Sequence, residues 1–314
     1  MANWFFRYLP GISFERMKLH QIRDLLAVAE KGSLRAAARH LRLAQPSISR
    51  SIHALEKELD VPLLERSARG TTLTPSGKLF ARRASAAATE LRRAREELQQ
   101  VHGKGTGALS VALSSVPLLA LLPRAYAPFA RRYPLMELHV TDSAFPGIEA
   151  QLRDGRVDFY VGVAPEKRPP PDLLVEKLFD NTRMVVARHG HPLAGARKLA
   201  DLAGARWVST SITANAQAEI GDLFRQHGLP APRIGATTTG GALGLITLLS
   251  HSDLLAIVPR QWLEYSPTRG ALAKIDLKEK LAAPPIVIIR RAALPLTPAA
   301  GYFCDLLRRA SSRA

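Results

Sequence analysis

Ser33-Leu34-Arg35-Ala36-Ala37-Ala38-Arg39-His40-Leu41, Arg42-Leu43-Ala44, then Gln45-Pro46-Ser47-Ile48-Ser49-Arg50-Ser51-Ile52-His53-Ala54-Leu55-Glu56 is the stretch that decides the fold of the N-terminal region. Ser33 follows Gly32 and has the hydroxyl that an N-cap uses. The spacing predicts a short helix over 34–41, a turn over 42–44 and a second helix from Gln45. Ala36, Ala37 and Ala38 are small enough for another helix to cross closely. Pro46 falls in a first turn, where a missing N–H costs nothing. Ile48, Ile52, Leu55 and Leu59 recur at steps of four, three and four, which is one buried stripe. A pair like this is either a plain helical hairpin or a DNA-reading helix-turn-helix. In the second case the N-terminal residues of the second helix touch base edges. Those residues are Gln45, Pro46, Ser47, Ser49 and Arg50. A Gln amide matches adenine N6 and N7, and a guanidinium matches guanine or a phosphate.

Outward from this pair the pattern stays helical. Leu19, Ile22, Leu25, Leu26 and Ala29 predict a preceding helix with one buried face. Ser67 to Thr74 reads as a β-ribbon turning at Gly70. Residues 75–102 form a long helix. Within it Phe80, Ala84, Ala87, Leu91, Ala94, Leu98 and Val101 alternate steps of four and three, a heptad seam held for three heptads. A seam this long needs a partner surface, either on its own chain or, the better reading, on a second copy as a dimerising linker helix. Residues 1–16, ahead of Met17, are read as a disordered extension.

Gly103-Lys104-Gly105-Thr106-Gly107 marks a boundary, and beyond it the period changes. Strands are expected at 108–113, 138–141, 157–163, 174–179, 184–188, 206–209, 255–258 and 286–289. Helices are expected at 116–133, 148–154, 217–228, 241–250, 261–265 and 297–309, with a short one at 199–202. Strand alternating with helix predicts an α/β domain on a parallel sheet. Ligands of such sheets sit at the carboxyl ends of strands. Four hydroxyl-bearing groups stand there: Ser114-Ser115, Thr141-Asp142, Ser209-Thr210-Ser211 and Thr237-Thr238-Thr239. Together they point to a polar, anionic small ligand, although each alone is an ordinary loop or cap.

Composition narrows the class. The 314 residues carry 44 Lys and Arg against 27 Asp and Glu, a formal charge of +17, which favours a polyanionic partner. Residues 17–102 hold 16 basic and 9 acidic side chains, and residues after 102 carry a further excess of nine positive charges. A single cysteine, Cys304, can build neither a disulfide framework nor a zinc cluster and suits a reducing cytosol. No run reaches the ~20 apolar residues of a membrane span. His189-Gly190-His191 lacks accompanying carboxylates for a metal site. Cys304 lies in an apolar helical stripe, and no nucleophile elbow is present. An enzyme is therefore not expected, and neither is a cofactor or a metal.

Residues 17–77 resemble the N-terminal domain of the LysR-type transcriptional regulators. The resemblance rests on Ser33 to Leu41, Gln45 to Ser49 and Ile52 to Glu56 of the stretch quoted above, together with Leu63-Leu64-Glu65-Arg66 and Leu73-Thr74-Pro75-Ser76-Gly77. Two departures are Asp60, where the family usually has Gly, and Leu64, where Phe is usual. Weaker likeness continues in Leu121-Leu122-Pro123, Asp158-Phe159-Tyr160-Val161-Gly162 and His191-Pro192-Leu193. The resemblance implies a winged helix-turn-helix, a dimerising linker helix and an effector domain of two α/β subdomains resembling periplasmic binding proteins. The implied boundaries are 17–74, 75–102, then 103–177 with 280–314 as one subdomain and 178–279 as the other. It also implies DNA contacts from Ser33 and the second helix, with Arg66 and Arg69 on or near the wing. The implied partners are double-stranded operator DNA, a small-molecule effector, one or three further copies of the chain, and RNA polymerase; the basic excess after residue 102 suits a carboxylate or sulfonate as that effector, and the cysteine usage suits the cytoplasm. The competing readings are an architectural DNA-binding protein and a regulator that has lost its ligand.

Overall fold

A computed structural model describes residues 17–67, 70–102, 105–210, 216–238, 242–264, 270 and 272–312. The reading of residues 1–16 falls outside them. Internal contacts divide the chain into two units between Arg92 and Arg93.

The first unit holds α1 (Leu19–Lys31), α2 (Leu34–Leu41) and α3 (Gln45–Leu59), then β1 (Leu64–Ser67), β2 (Gly70–Leu73) and the start of α4 (Pro75–Val101). Gly32 ends α1 in the left-handed conformation at φ 74°. Ser33 caps α2, its Oγ accepting the Ala36 N–H at 3.1 Å. Asp60 ends α3 at φ 51°, also left-handed. That explains why Gly is usual at this position: only Gly enters this region without a Cβ penalty, and Asp is among the few side chains that tolerate it. The core is Leu25, Val28, Ala37, Ile48, Ile52, Leu55 and Leu63. Each large aliphatic side chain buried there contributes about 2 kcal/mol of transfer free energy.

The apolar face of α1 is only partly covered within the chain. Leu25 and Val28 are in the core, whereas Leu19 is exposed and Ile22 and Leu26 are only half-buried. The ribbon also begins earlier than the sequence suggested. It pairs Leu64 with Leu73 and Ser67 with Gly70.

The second unit carries β3 (Thr106–Leu113), α5 (Ser115–Ala120), α6 (Leu122–Arg132), β4 (Leu135–Asp142), α7 (Phe145–Arg153), β5 (Phe159–Val163) and β6 (Leu173–Arg188). There follow β7 (Arg206–Thr210), α8 (Ala216–Gln226), β8 (Arg233–Thr238), α9 (Ala242–Ser250), β9 (Leu254–Pro259), α10 (Gln261–Glu264), β10 (Leu272–Ile275), β11 (Leu281–Arg291) and α11 (Pro298–Ser311). The strand order is β4-β3-β5-β11-β6-β9-β7-β8, with β10 beside β6. The sheet is mixed rather than parallel throughout. β4, β3 and β5 run parallel, as do β9, β7 and β8, but β6 and β11 are antiparallel to each other and connect the two groups. The helix expected over 116–133 is two, because Pro123 stands in the first turn of α6 and supplies no N–H to continue α5. Strands expected at 174–179 and 184–188 are one, since Asn181 and Thr182 pair with Ala283 and Ala282 of β11.

Each parallel group is covered on both faces. Phe129, Phe159 and Phe303 centre one core of the β3–β5 group, and Phe145 and Tyr160 the other. Trp207 and Phe224, 5.4 Å apart edge to face, centre one core of the β7–β9 group, with Leu245, Leu249 and Trp262 on its other face.

Candidate functional site

The polar face of α3 follows from its burial pattern. Ile48, Ile52 and Leu55 point into the core, so Gln45, Pro46, Ser47 and Arg50 are exposed and Ser49 is half-buried. Arg50 has no ion-pair partner among the described residues, which leaves its guanidinium available to an anion. Arg66 pairs through its backbone with Thr71 of the ribbon. The side chain of Arg66, and Arg69 altogether, lie outside the described residues.

Three side-chain and backbone contacts hold α3, the ribbon and α4 together, and each explains a motif residue. Glu56 Oε1 accepts the N–H groups of Leu63 at 2.8 Å and Leu64 at 2.9 Å. Thr74 caps α4: its Oγ1 accepts Gly77 N–H at 2.9 Å and donates to Pro62 O at 2.7 Å. Gly77 lies so close to Leu63 that a Cβ would stand 2.0 Å from its carbonyl oxygen. Glu56→Ala would leave two N–H groups without an acceptor, and we expect it to cost about 2–3 kcal/mol in a urea melt. Glu56→Gln, which keeps one acceptor oxygen, should cost about half as much.

The heptad seam divides in the structure. Phe80 packs on the core of the first unit and Ala84 is buried, whereas Ala87, Leu91, Ala94, Leu98 and Val101 are exposed. Within the first unit Leu19, Ile22 and Leu26 of α1 line an open groove of about 400 Å³ with Ala87, Ala88 and Leu91 of α4.

In the second unit the predicted hydroxyls lie at the carboxyl ends of both parallel groups. Thr141 pairs with Ala112 and Asp142 with Leu113, the residue before Ser114. Ser209 pairs with Thr237 and Thr210 with Thr238. Ser114 and Ser209 are buried, and neither hydroxyl makes a well-formed hydrogen bond. Ser114 N–H donates to Val161 O at 3.0 Å, and its Oγ adjoins the Tyr160 hydroxyl, which donates to Val163 O at 3.1 Å. Gly162 lets that hydroxyl cross, since a Cβ there would stand 2.4 Å from the Tyr160 ring carbon that carries it. Ser115 and Thr238 are half-buried, and Thr141 and Asp142 are exposed. Packing round the Asp142 carboxylate nevertheless raises its pKa above the usual range. The side chain of Thr210, and the predicted Ser211 and Thr239, lie outside the described residues.

A cleft of about 600 Å³ contains none of these hydroxyls. Phe145, Glu149, Val163, Arg168, Arg183 and Asp222 are among its lining residues. Sequence reading missed it because its walls come from five separate elements and loops with no shared motif.

His191 has a structural task. It is buried, its Nδ1 accepts Leu193 N–H at 3.0 Å, and its Nε2 donates to Asp253 O at 3.2 Å. Cys304 is in the β3–β5 core, where burial pushes its thiol pKa up to about 11.

Comparison with known proteins agrees with both units. Residues 19–78 match the bacterial regulatory helix-turn-helix model of the lysR family, and residues 102–312 match the LysR substrate-binding domain model. A relative from Pseudomonas sp. (strain ATCC 19151), the SDS degradation transcriptional activation protein, is 30% identical, covering 90% of this chain and 92% of its own. The HTH-type transcriptional regulator GbpR of Azospirillum brasilense is 26% identical, covering 99% of this chain and 89% of its own. The crystal structure of CbnR, a LysR family transcriptional regulator, has the same fold, with a TM-score of 0.68 at 23% identity, covering 94% of this chain and 99% of that one. With family models matched over both units, the chain belongs to the LysR family of DNA-binding transcriptional regulators, with an N-terminal helix-turn-helix and a C-terminal effector-binding domain.

Proposed function

We propose that this regulator reads operator DNA with Gln45, Pro46, Ser47, Ser49 and Arg50 of α3, aided by Ser33, Arg66 and Arg69, and answers to a small anionic effector. The observation that carries the DNA reading is the exposed polar start of α3 above a fully buried Ile48–Ile52–Leu55 stripe. A second copy of the chain covers the exposed seam residues and the apolar groove between α1 and α4. Residues 103–177 with 280–314 form one effector subdomain and 178–279 the other.

The effector sits against Ser114, Ser115, Thr141, Asp142, Ser209, Thr210 and Thr238. Two buried hydroxyls with unmet hydrogen-bonding capacity support this, because burying such groups costs free energy that a polar ligand recovers. A carboxylate or sulfonate suits a hydroxyl-lined site in a basic domain. One observation favours a second seat, the 600 Å³ cleft at Phe145 and Arg183, whose largely apolar walls suit an acid with a hydrocarbon tail. The effector shifts DNA affinity or DNA bending only by its difference in affinity for two arrangements of the effector domain.

The test is a gel shift on the DNA upstream of its own gene, across a salt series, with benzoate, hexanoate and dodecyl sulfate below its critical micelle concentration. Dodecyl sulfate is included because one relative is named for SDS degradation. Tight binding that one acid alters supports the reading. Weak, steeply salt-dependent binding that no acid alters points to non-specific charge attraction and counts against it. Ser114→Ala and Ser115→Ala should keep DNA affinity and weaken the acid's effect about tenfold, as losing a hydrogen bond to a charged ligand does. An undiminished effect would move the effector to the cleft at Arg183.

A further inference from the structure

The chain divides inside α4 rather than after it, and Arg93 is the first residue on the far side. Its Nη2 lies 2.7 Å from Asp158 Oδ1 and donates to Gly155 O at 2.8 Å. The two side chains retain only 9% and 12% of their exposure. Asp158 Oδ2 accepts Ser110 N–H from β3 at 2.9 Å, and Asp158 N–H donates to Ser110 O at 2.7 Å. Two turns further on, Gln100 Oε1 accepts Ala299 N–H from the start of α11 at 3.0 Å. The last nine residues of α4 are thus fixed to the effector domain, although the helix begins in the DNA-binding unit.

A desolvated ion pair is a poor choice for stability alone. An apolar pair of equal volume holds a helix at least as firmly. What the guanidinium adds is direction, because its planar donors accept few orientations of the helix that carries them. Asp158 directly precedes β5, and β5 also carries Val161, whose carbonyl receives Ser114 N–H, and Tyr160, whose hydroxyl adjoins Ser114 Oγ. One strand therefore holds the linker helix at its start and the candidate effector serine further along.

We propose that the Arg93–Asp158 pair is the joint through which the effector domain sets the position of the linker helix, which makes Arg93 a positioning residue for DNA binding. This rests on the regulator reading above. A displacement of β5 at Ser114 is passed to α4 through Asp158, and so to the DNA-reading unit at the helix's other end.

The test uses the full-length protein and Asp158→Asn, which keeps an acceptor for Ser110 N–H but removes the charge facing Arg93. Peptide-resolved amide exchange should speed up about tenfold or more over 94–102, while β5 and α11 keep their wild-type rates. On upstream DNA, affinity should stay near wild type while the sites of enhanced DNase cleavage, which report bending, change position. Arg93→Met should reproduce both effects, and Arg93→Lys should give part of them. Unchanged exchange over 94–102, an equal rise through β5 and α11, or an unchanged footprint would overturn the proposal. If Asp158→Asn does not fold, Arg93→Lys, which keeps the charge and loses the fork, decides on the same readouts. If wild-type protein leaves no footprint, the regulator reading fails, while exchange over 94–102 still judges the joint.

Discussion

Gly77→Ala should unfold the N-terminal unit under conditions where the wild type is folded. An alanine Cβ would stand 2.0 Å from the Leu63 carbonyl oxygen and 2.9 Å from its carbonyl carbon. Both are backbone atoms, so no rotamer change relieves the overlap. Either the first turn of α4 moves or the chain entering β1 moves. The first breaks the Thr74 N–H to Leu63 O bond, 3.0 Å, and the Thr74 Oγ1 bond to Pro62. The second breaks the pair of bonds that Glu56 makes to Leu63 and Leu64. Two hydrogen bonds at about 1 kcal/mol each, with overpacking strain of about 1–3 kcal/mol, give a loss of about 3–5 kcal/mol. That is a large share of what holds a small domain folded. Urea denaturation followed by far-UV circular dichroism should show an early transition for the N-terminal unit. A single transition at the wild-type midpoint would mean that the contact between Gly77 and Leu63 is not made in solution.

The second large effect leaves the fold intact. Gln45 and Arg50 are exposed on α3 and contribute nothing to the Ile48–Ile52–Leu55 core. Replacing both by alanine should lower operator affinity by about two to three orders of magnitude, since a good side-chain contact to a base is worth about 1–3 kcal/mol. The thermal midpoint should stay within about 2 °C, as expected when surface side chains are removed without disturbing packing. The single variants separate the roles. If Arg50 meets a phosphate, its loss weakens all sequences alike and lowers the salt slope by about one. If it meets guanine, discrimination is lost at one base pair and the slope barely changes. Full affinity in the double variant would remove α3 from the interface, and loss of folding would refute the burial pattern that placed these residues outside.

The N-terminal unit was legible because its signals are local. Ser33, Gly32 and Pro46 act within one helical turn, and the Ile48–Ile52–Leu55 stripe is set by a fixed period. The long helix α4 was legible for the same reason, although Phe80 and Ala84 of the expected seam face the chain's own core. β8 and β10 were missed. Arg233 to Thr238 contains Gly235 and two threonines and reads as a loop, yet it pairs in parallel with β7, and Gly235 lies against the Leu254 side chain, which stands 2.7 Å from where a Cβ would be. Leu272 to Ile275 is only four residues long and owes its strand to pairing with β6.

The sequence by itself determined most of the elements, the helix-turn-helix and the polar face of its second helix, because caps, turns and periodicity are properties of neighbours along the chain. It also placed hydroxyl residues at strand ends. Tertiary structure alone decided which strands run antiparallel, that Leu63 and Gly77 meet, and that Arg93 of the linker helix is paired with Asp158 across 65 positions of chain. Such pairings bring together residues with no periodic relation, and an exposed arginine on a helix reads the same as a buried one until the partner carboxylate is in place.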